Sequence, residues 1–288
     1  MNILVTGCYG QLGTEMQKIA SRELSHQWFF TDVDTLDICN AIAVEQYIAD
    51  HHIDYCVNCA AYTAVDRAED DARLAERINV FASKILAESC LKHHTALIHV
   101  STDYVFDGKG ERPYREDDPT GPVSVYGHTK LDGENAIRVS GCNYIIIRTA
   151  WLYSSIGKNF VKTMLQLADN RDSINVVCDQ KGTPTWAGDL AQAIMLLIQH
   201  YGINLVHETF HFTNEGITTW DEFARAIFEI AHKNCLVNSI TTDQYPTRAT
   251  RPAYSVLDKT KIKTVLGMEI PYWKDSLAKC IEELNKTI

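Results

Sequence analysis

The sequence of 288 residues predicts an α/β fold, a doubly wound parallel sheet with a smaller carboxyl-terminal lobe. Three observations predict it. Short apolar runs rich in Ile, Val and aromatics alternate with amphipathic stretches, and parallel strands require such helical crossovers. The first run passes directly into a glycine-rich turn that opens the first helical stretch. The length suits one large domain, or two sharing a core.

Strands are expected at 3–6, 28–31, 54–57, 96–100 and 144–148, each short and apolar as a buried parallel strand should be. Between them, 11–21, 41–50, 72–92 and 126–139 carry apolar residues at three- and four-residue spacing and predict helices. After Thr149 the rhythm loosens: 160–168, 190–201 and 223–232 read as helices, and 174–177 as a strand. Residues 1–150 are therefore assigned to the sheet domain, completed by about 173–212. Residues 151–172 and 213–288 are assigned to the smaller lobe.

Composition narrows the function. Hydrophobic residues make up 45% and charged ones 22%, with a formal net charge of −10. That balance argues against a nucleic-acid binder, which needs a clustered basic surface. Apolar runs fall short of the roughly 18 residues that span a bilayer; the run 193–198 is bracketed by Gln192 and Gln199. The amino terminus lacks the basic start of a signal peptide. Nine cysteines are scattered along the chain, which reads as free core thiols in a reducing, cytoplasmic setting rather than a disulfide framework. Cys56 and Cys59 have redox spacing but lie in an apolar run with no second pair after it.

Two constellations carry chemistry. Gly7, Gly10 and Gly13 follow the first strand as GxxGxxG. Such a turn lets the backbone approach a pyrophosphate, which the helix N-terminus attracts. Asp32 ends the second strand, where a carboxylate accepts hydrogen bonds from adenosine ribose hydroxyls; this favours NAD, since 32–40 holds no Arg or Lys to offset a 2′-phosphate. Tyr126 and Lys130 lie four apart, on one face of a helix. A lysine cation one turn away would lower the phenol's pKa toward neutrality.

With these residues in view, the sequence resembles the extended short-chain dehydrogenase/reductase family, and within it the reductases of dTDP-linked 4-keto-6-deoxy sugars. The likeness runs through GCYGQLGTE (7–15), NCAAYTAVDRAE (58–69), STDYVFDG (101–108), VYGHTKLDGE (125–134), RTAWLY (148–153), KNFVKTML (158–165), DQKGTPT (179–185) and RPAYSVLD (251–258). The resemblance implies a Rossmann-like fold and NADPH or NADH as cofactor. It implies that Thr102, Tyr126 and Lys130 are catalytic, with Tyr126 protonating the sugar C4 oxygen and Lys130 holding the nicotinamide ribose. It places Gly10, Gln11 and Leu12, beside Gly7 and Gly13, on the pyrophosphate. Asp32, Asp37 and Ile38 would line the adenosine end, with Ala61, Tyr62, Thr63 and Val100 nearer the nicotinamide. Thr102, Asp103 and Trp151 would touch the sugar nucleotide. Thr102-Asp103-Tyr104 lacks the Asp-Glu pair of related dehydratases, so ketone reduction is implied and dehydration is not.

The resemblance also brings a homodimer and Mg2+ as features of some members, with Glu15 a candidate ligand. A non-catalytic relative, the regulatory subunit of methionine adenosyltransferase, keeps the fold and a Tyr-xxx-Lys pair; Trp151 and the blocks at 158–165 and 251–258 favour the enzyme. Neither nucleic acid nor membrane is an expected partner. The His51-His52 and His93-His94 pairs fall near predicted helix ends and read as caps. His128 should point to solvent. The run Asp66, Arg67, Glu69, Asp70 and Asp71 reads as a solvated loop. Lys158 or Arg251 would hold the dTDP diphosphate.

Overall fold

The computed structural model describes every residue except Ile203, Leu205 and Ile288. Six strands form the central sheet: Asn2–Thr6, Gln27–Thr31, Tyr55–Asn58, Ala96–Thr102, Tyr144–Thr149 and His207–His211. Across the sheet they run second, first, third, fourth, fifth, sixth, and every neighbouring pair is parallel. The order reverses at the first strand. The crevice between the first and third strands is where open sheets of this kind bind ligands.

Alternation along each strand builds two cores. Ile3, Val5, Val57, Ile98, Ile145 and Ile147 face one side, against Leu12 and Met16 of the first helix and Leu190, Ile194 and Leu197 of the Ala187–Tyr201 helix. Leu4, Cys56, Leu97 and Ile146 face the other, against Val44, Ile48, Leu86 and Ile137. Each such aliphatic side chain contributes about 1.5–3 kcal/mol on burial. The nine cysteines are all free, five of them buried. Among the described residues no helix is long and apolar enough to cross a membrane.

The five predicted strands and the helices at 11–21, 41–50 and 126–139 are present, with ends shifted by a residue or two. Three expectations are corrected. The stretch 72–92 is not one helix: Ala72–Glu76 gives way to a π turn at Arg77–Phe81 before the helix Ala82–His93 resumes. Ser173–Val177 does not complete the large sheet. It pairs in parallel with Leu236–Ile240, and its Ile174 and Val176 join the small-lobe core of Val161, Phe223, Ile227, Trp273 and Leu277. The large domain is completed instead by the Ala187–Tyr201 helix and the His207–His211 strand. Conversely, Ile262 and Ile270, assigned by sequence to the small lobe, pack into the large-domain core.

The histidine pairs do fall at helix ends. His51 is the C-cap residue after Ala41–Asp50, and His94 closes Ala82–His93 in a left-handed conformation.

Candidate active site

The glycine turn is shaped by close approaches. Gly7 has φ of 65°, and a Cβ there would lie 2.7 Å from the Ala60 nitrogen; one on Gly13 would lie 2.3 Å from the Gly7 carbonyl oxygen. Only hydrogen side chains let the first strand, the turn and the third-strand end pack this tightly. The helix Gln11–Ala20 begins at Gly10 with no side-chain cap and no acid in its first turn, so its N–H groups remain available to an anion. A cavity of about 570 Å3 opens there, lined by Gly7, Gly10, Asp32, Asp37, Ile38, Ala61 and Arg77, among others. Its volume is in the range of small-molecule sites. Gln11 borders the same turn; its Oε1 accepts from Asn159 Nδ2 at 2.9 Å, so the small lobe leans on the phosphate end. Leu12 is buried in the core beneath.

Asp32 is engaged by the backbone. Its carboxylate accepts from Tyr9 N at 3.0 Å and from Val33 N at 2.9 Å, stapling the glycine turn to the second strand. Asp37 accepts from Cys39 N and stands 3.5 Å from the Arg77 guanidinium. Arg77 adds to the sequence reading: a cation does line the cavity beside Asp32 and Asp37, delivered from the π turn rather than from 32–40. Asn79, in the same turn and 1% exposed, was not singled out either. Its side chain exchanges hydrogen bonds with both backbone groups of Tyr62 and donates to Thr129 Oγ1 at 3.1 Å. It thereby ties the loop carrying Ala61, Tyr62 and Thr63 to the helix carrying Tyr126. A lone Asn inside an otherwise helical run was the signal available, together with Gly133, where a Cβ would lie 2.2 Å from the Asn79 carbonyl oxygen.

The Val125–Ser140 helix is capped by Ser124, whose Oγ accepts from Gly127 N at 3.1 Å, and Val125 N donates to Glu69 at 2.9 Å. Its first turn presents Tyr126, 9% exposed, edge-on to Tyr104 at 5.4 Å. His128 points to solvent, as expected. Burial raises the Tyr126 phenol above its ordinary value, with the Thr102 hydroxyl pulling the other way and the Asp103 and Tyr104 charges adding to the rise. This differs from the expected lowering, and the geometry gives the reason. Lys130 Nζ is turned to the fourth strand, donating to the Val100 carbonyl at 2.7 Å with His99 Nε2 at 3.2 Å. Burial brings Lys130 itself down to about 8, against the opposing pull of Glu134.

Thr102 ends the fourth strand and bonds Asp103 Oδ1 at 2.9 Å. Burial raises the Asp103 carboxyl to about 6, with the Thr102 and Ser255 hydroxyls opposing the rise. Beneath the site, Glu134 and Arg148 form a buried two-point pair at 2.9 and 2.8 Å. Trp151 adopts a φ of 48° and stacks on Trp220, ring centres 3.6 Å apart. It packs over Gly182, where a Cβ would lie 2.6 Å from the indole.

The acidic run at 66–71 is more than a solvated loop. Asp66 accepts from Ala249 N and pairs with Arg251, Asp70 pairs with Arg248, and Arg251 also donates to the Tyr104 hydroxyl at 3.2 Å. These contacts clasp the 248–251 segment against Tyr104 and the 66–70 stretch. Lys158 is exposed. Glu15 is buried against Lys18 at 2.9 Å and Ser154 at 3.0 Å. Among the described residues no three His, Cys, Asp or Glu side chains converge to hold an ion. Glu15, the candidate ligand, is already bound to Lys18 and Ser154, so the residues present do not fit Mg2+.

Residues 1–286 match the family described as "RmlD substrate binding domain". The chain belongs to this family. Within the RmlD family it is 41% identical, over 96% of each chain, to the dTDP-4-dehydrorhamnose reductase of Aggregatibacter actinomycetemcomitans. Among solved structures it is similar to the dTDP-4-dehydrorhamnose reductase of Clostridium acetobutylicum ATCC 824, with 41% identity and a TM-score of 0.94, covering 99% of this chain and 100% of that one. It is also similar to the Bacillus anthracis enzyme of that name in complex with NADP, with 34% identity and a TM-score of 0.93, covering 98% and 99%.

Proposed function

We propose that this protein reduces the C4 ketone of dTDP-4-dehydro-6-deoxy-L-mannose (dTDP-4-dehydro-β-L-rhamnose) to dTDP-L-rhamnose, the closing reaction of dTDP-L-rhamnose synthesis. The observation that carries it is the packing of Tyr126 with Tyr62, next along the chain to Ala61 of the crevice, in a chain alike along its whole length to reductases of that name.

When bound, the reduced nicotinamide supplies the hydride to C4. Every other element belongs to the chain. The open N-terminus of the Gln11–Ala20 helix holds the pyrophosphate. Tyr126, kept as a protonated phenol by burial, gives its proton to the C4 oxygen, and Thr102 orients that oxygen. Asp103 and Trp151 bound the sugar, and Arg251, held by Asp66 beside the Tyr104 hydroxyl, meets the diphosphate. A single carboxylate stands here where elimination of water would need an acid and a base, so ketone reduction is the chemistry this set performs. Arg77, facing Asp37, offsets the acidic adenosine end and admits the 2′-phosphate of NADPH. The nine free thiols suit the reducing cytoplasm.

The test is oxidation of NADPH or NADH with the dTDP-keto sugar. No oxidation with either cofactor overturns the proposal. Tyr126→Phe removes only the hydroxyl and should slow turnover by about 10²–10⁴-fold; wild-type turnover in that variant refutes the role of Tyr126.

A further inference from the structure

Gln11, Glu15 and Lys18 share one face of the Gln11–Ala20 helix, and each is fastened to the small lobe. Glu15 Oε1 accepts from the Ser154 hydroxyl at 3.0 Å, and Lys18 pairs with Glu283 at 2.7 Å. Gln11, the first residue of the helix, meets Asn159. Gly157 lets the two chains come this close: its φ is 74°, and a Cβ there would lie 3.2 Å from Gln11 Cγ.

The atoms of the contact can be assigned one by one. Asn159 caps the Phe160–Ala168 helix, and its Oδ1 accepts from Lys162 N at 3.1 Å. Its Nδ2 donates to the Ser154 carbonyl at 2.7 Å. A backbone N–H only donates and a carbonyl only accepts, so the Asn159 amide has one orientation. Nδ2 gives its second proton to Gln11 at 2.9 Å, and the Gln11 atom it meets must be Oε1. Gln11 Nε2 therefore keeps both its protons on the side away from Asn159, in the uncapped first turn of the helix. Among the described residues no protein group accepts them.

We propose that Asn159 is a positioning residue for the cofactor: by holding the Gln11 amide oxygen, it presents the Gln11 amide nitrogen as a donor to the pyrophosphate. This deepens the reductase reading and rests on its cofactor-binding half. An unheld glutamine would spend part of its time with its oxygen toward the phosphates, acceptor against acceptor, and would lose rotamer freedom on binding. Asn159 settles the orientation before the cofactor arrives, which lowers the cost of association. The hold is firm because Asn159 stands on packed structure. Phe160, the next residue, lies 4.6 Å from the Trp220 ring, which in turn stacks on Trp151.

Fluorescence titration of the full chain with NADPH tests the assignment. Asn159→Ser keeps a capping oxygen for the Lys162 N–H but is too short to reach Gln11. It should weaken NADPH about three- to ten-fold, with KM for NADPH rising by the same factor and kcat retained at saturating cofactor. Asn159→Asp also keeps the cap but offers only acceptors, so it turns the Gln11 nitrogen toward itself and the oxygen toward the phosphates. Its loss should exceed that of Asn159→Ser. In a Gln11→Ala background Asn159→Ser should cost nothing further, because no amide is left to orient. Adenosine 2′-monophosphate has no pyrophosphate and should bind wild type and Asn159→Ser alike. Unchanged NADPH affinity in Asn159→Ser, losses that add in the double variant, or an equal loss for adenosine 2′-monophosphate overturns the proposal. If NADPH binds as stated and no dTDP-keto sugar is reduced, the reductase reading falls and the role of Asn159 stands.

Discussion

Glu134→Gln tests how the Val125–Ser140 helix is anchored. Glu134 sits one turn beyond Lys130 and is fully buried, and Arg148, on the fifth strand, is 2% exposed. Two hydrogen bonds of 2.9 and 2.8 Å join them, with Arg138 adding a third at 2.8 Å. The variant keeps the shape and one acceptor but removes the charge, leaving the Arg148 cation buried without its counter-ion. Breaking a buried pair from one side costs about 3–5 kcal/mol, and the retained acceptor places this case near about 3. For a chain of this size that is roughly 6–12 °C in melting temperature. Urea denaturation at pH 7 measures it. The pH dependence carries its own sign. Burial pushes the Glu134 carboxyl up, but the bonds and charge of Arg148 more than reverse this and leave it below its ordinary 4.5. A lowered carboxyl contributes stability above its unfolded value and loses it as pH falls through the folded one. The gap between wild type and variant should therefore be constant above about pH 5 and shrink below about 4.5. A loss under about 1 kcal/mol at pH 7, or a gap that widens in acid, refutes this account of the pair. Glu134→Leu with Arg148→Met removes both charges and should recover most of the loss.

Other variants probe the rim and the cofactor end. Burial raises Asp103 from 3.8 to about 6, so its stability contribution is present below 3.8 and lost as pH rises through about 6. Asp103→Asn should accordingly stabilise the free protein by about 2–3 kcal/mol at pH 7 and by nothing near pH 4, read by urea unfolding at both pH values. Gly133→Ala drives a Cβ to 2.2 Å from the Asn79 carbonyl oxygen; it should cost about 1–3 kcal/mol in urea and raise the KM for cofactor, because the π turn must move. Arg77→Ser should weaken NADPH by about ten-fold, the effect of losing one charged contact of about 1.4 kcal/mol. NADH should be spared, as fluorescence titration of both cofactors would show.

The frame of the fold was legible because it rests on short-range pattern. Ile3, Val5 and Leu4 alternate between two cores as a period of two demands, and Gly7 and Gly13 announce a turn that no larger residue fits. The His207–His211 strand escaped because it is an edge: His207 is exposed and Glu208 and Thr209 are only partly covered, so its sequence carries little apolar signal. Arg77 and Asn79 escaped for a different reason. Their roles depend on which residues 15 or more positions away they meet, Tyr62 and Thr129 for one and Asp37 for the other, and helical periodicity says nothing about that. The clasp of Asp66 and Asp70 on Arg251 and Arg248 spans most of the chain. In sequence, the same acids look like an ordinary solvated face. Tyr126 and Lys130 were found by spacing, but spacing could not show that Lys130 turns toward His99 and Val100 rather than toward the phenol.

The π turn at Arg77–Phe81 makes chain length itself a functional variable. Such a turn is an α-helix that has gained one residue. Deleting any single residue there would restore regular α geometry and improve its hydrogen bonds. Each residue also rotates a helix by about 100°, so the same deletion would swing one half of the helix against the other. Asn79 and Arg77 could then not both keep their present neighbours. A shortened chain would gain a better helix and lose the registration of two loops, a change that a comparison of residue types alone would pass over as a one-position gap.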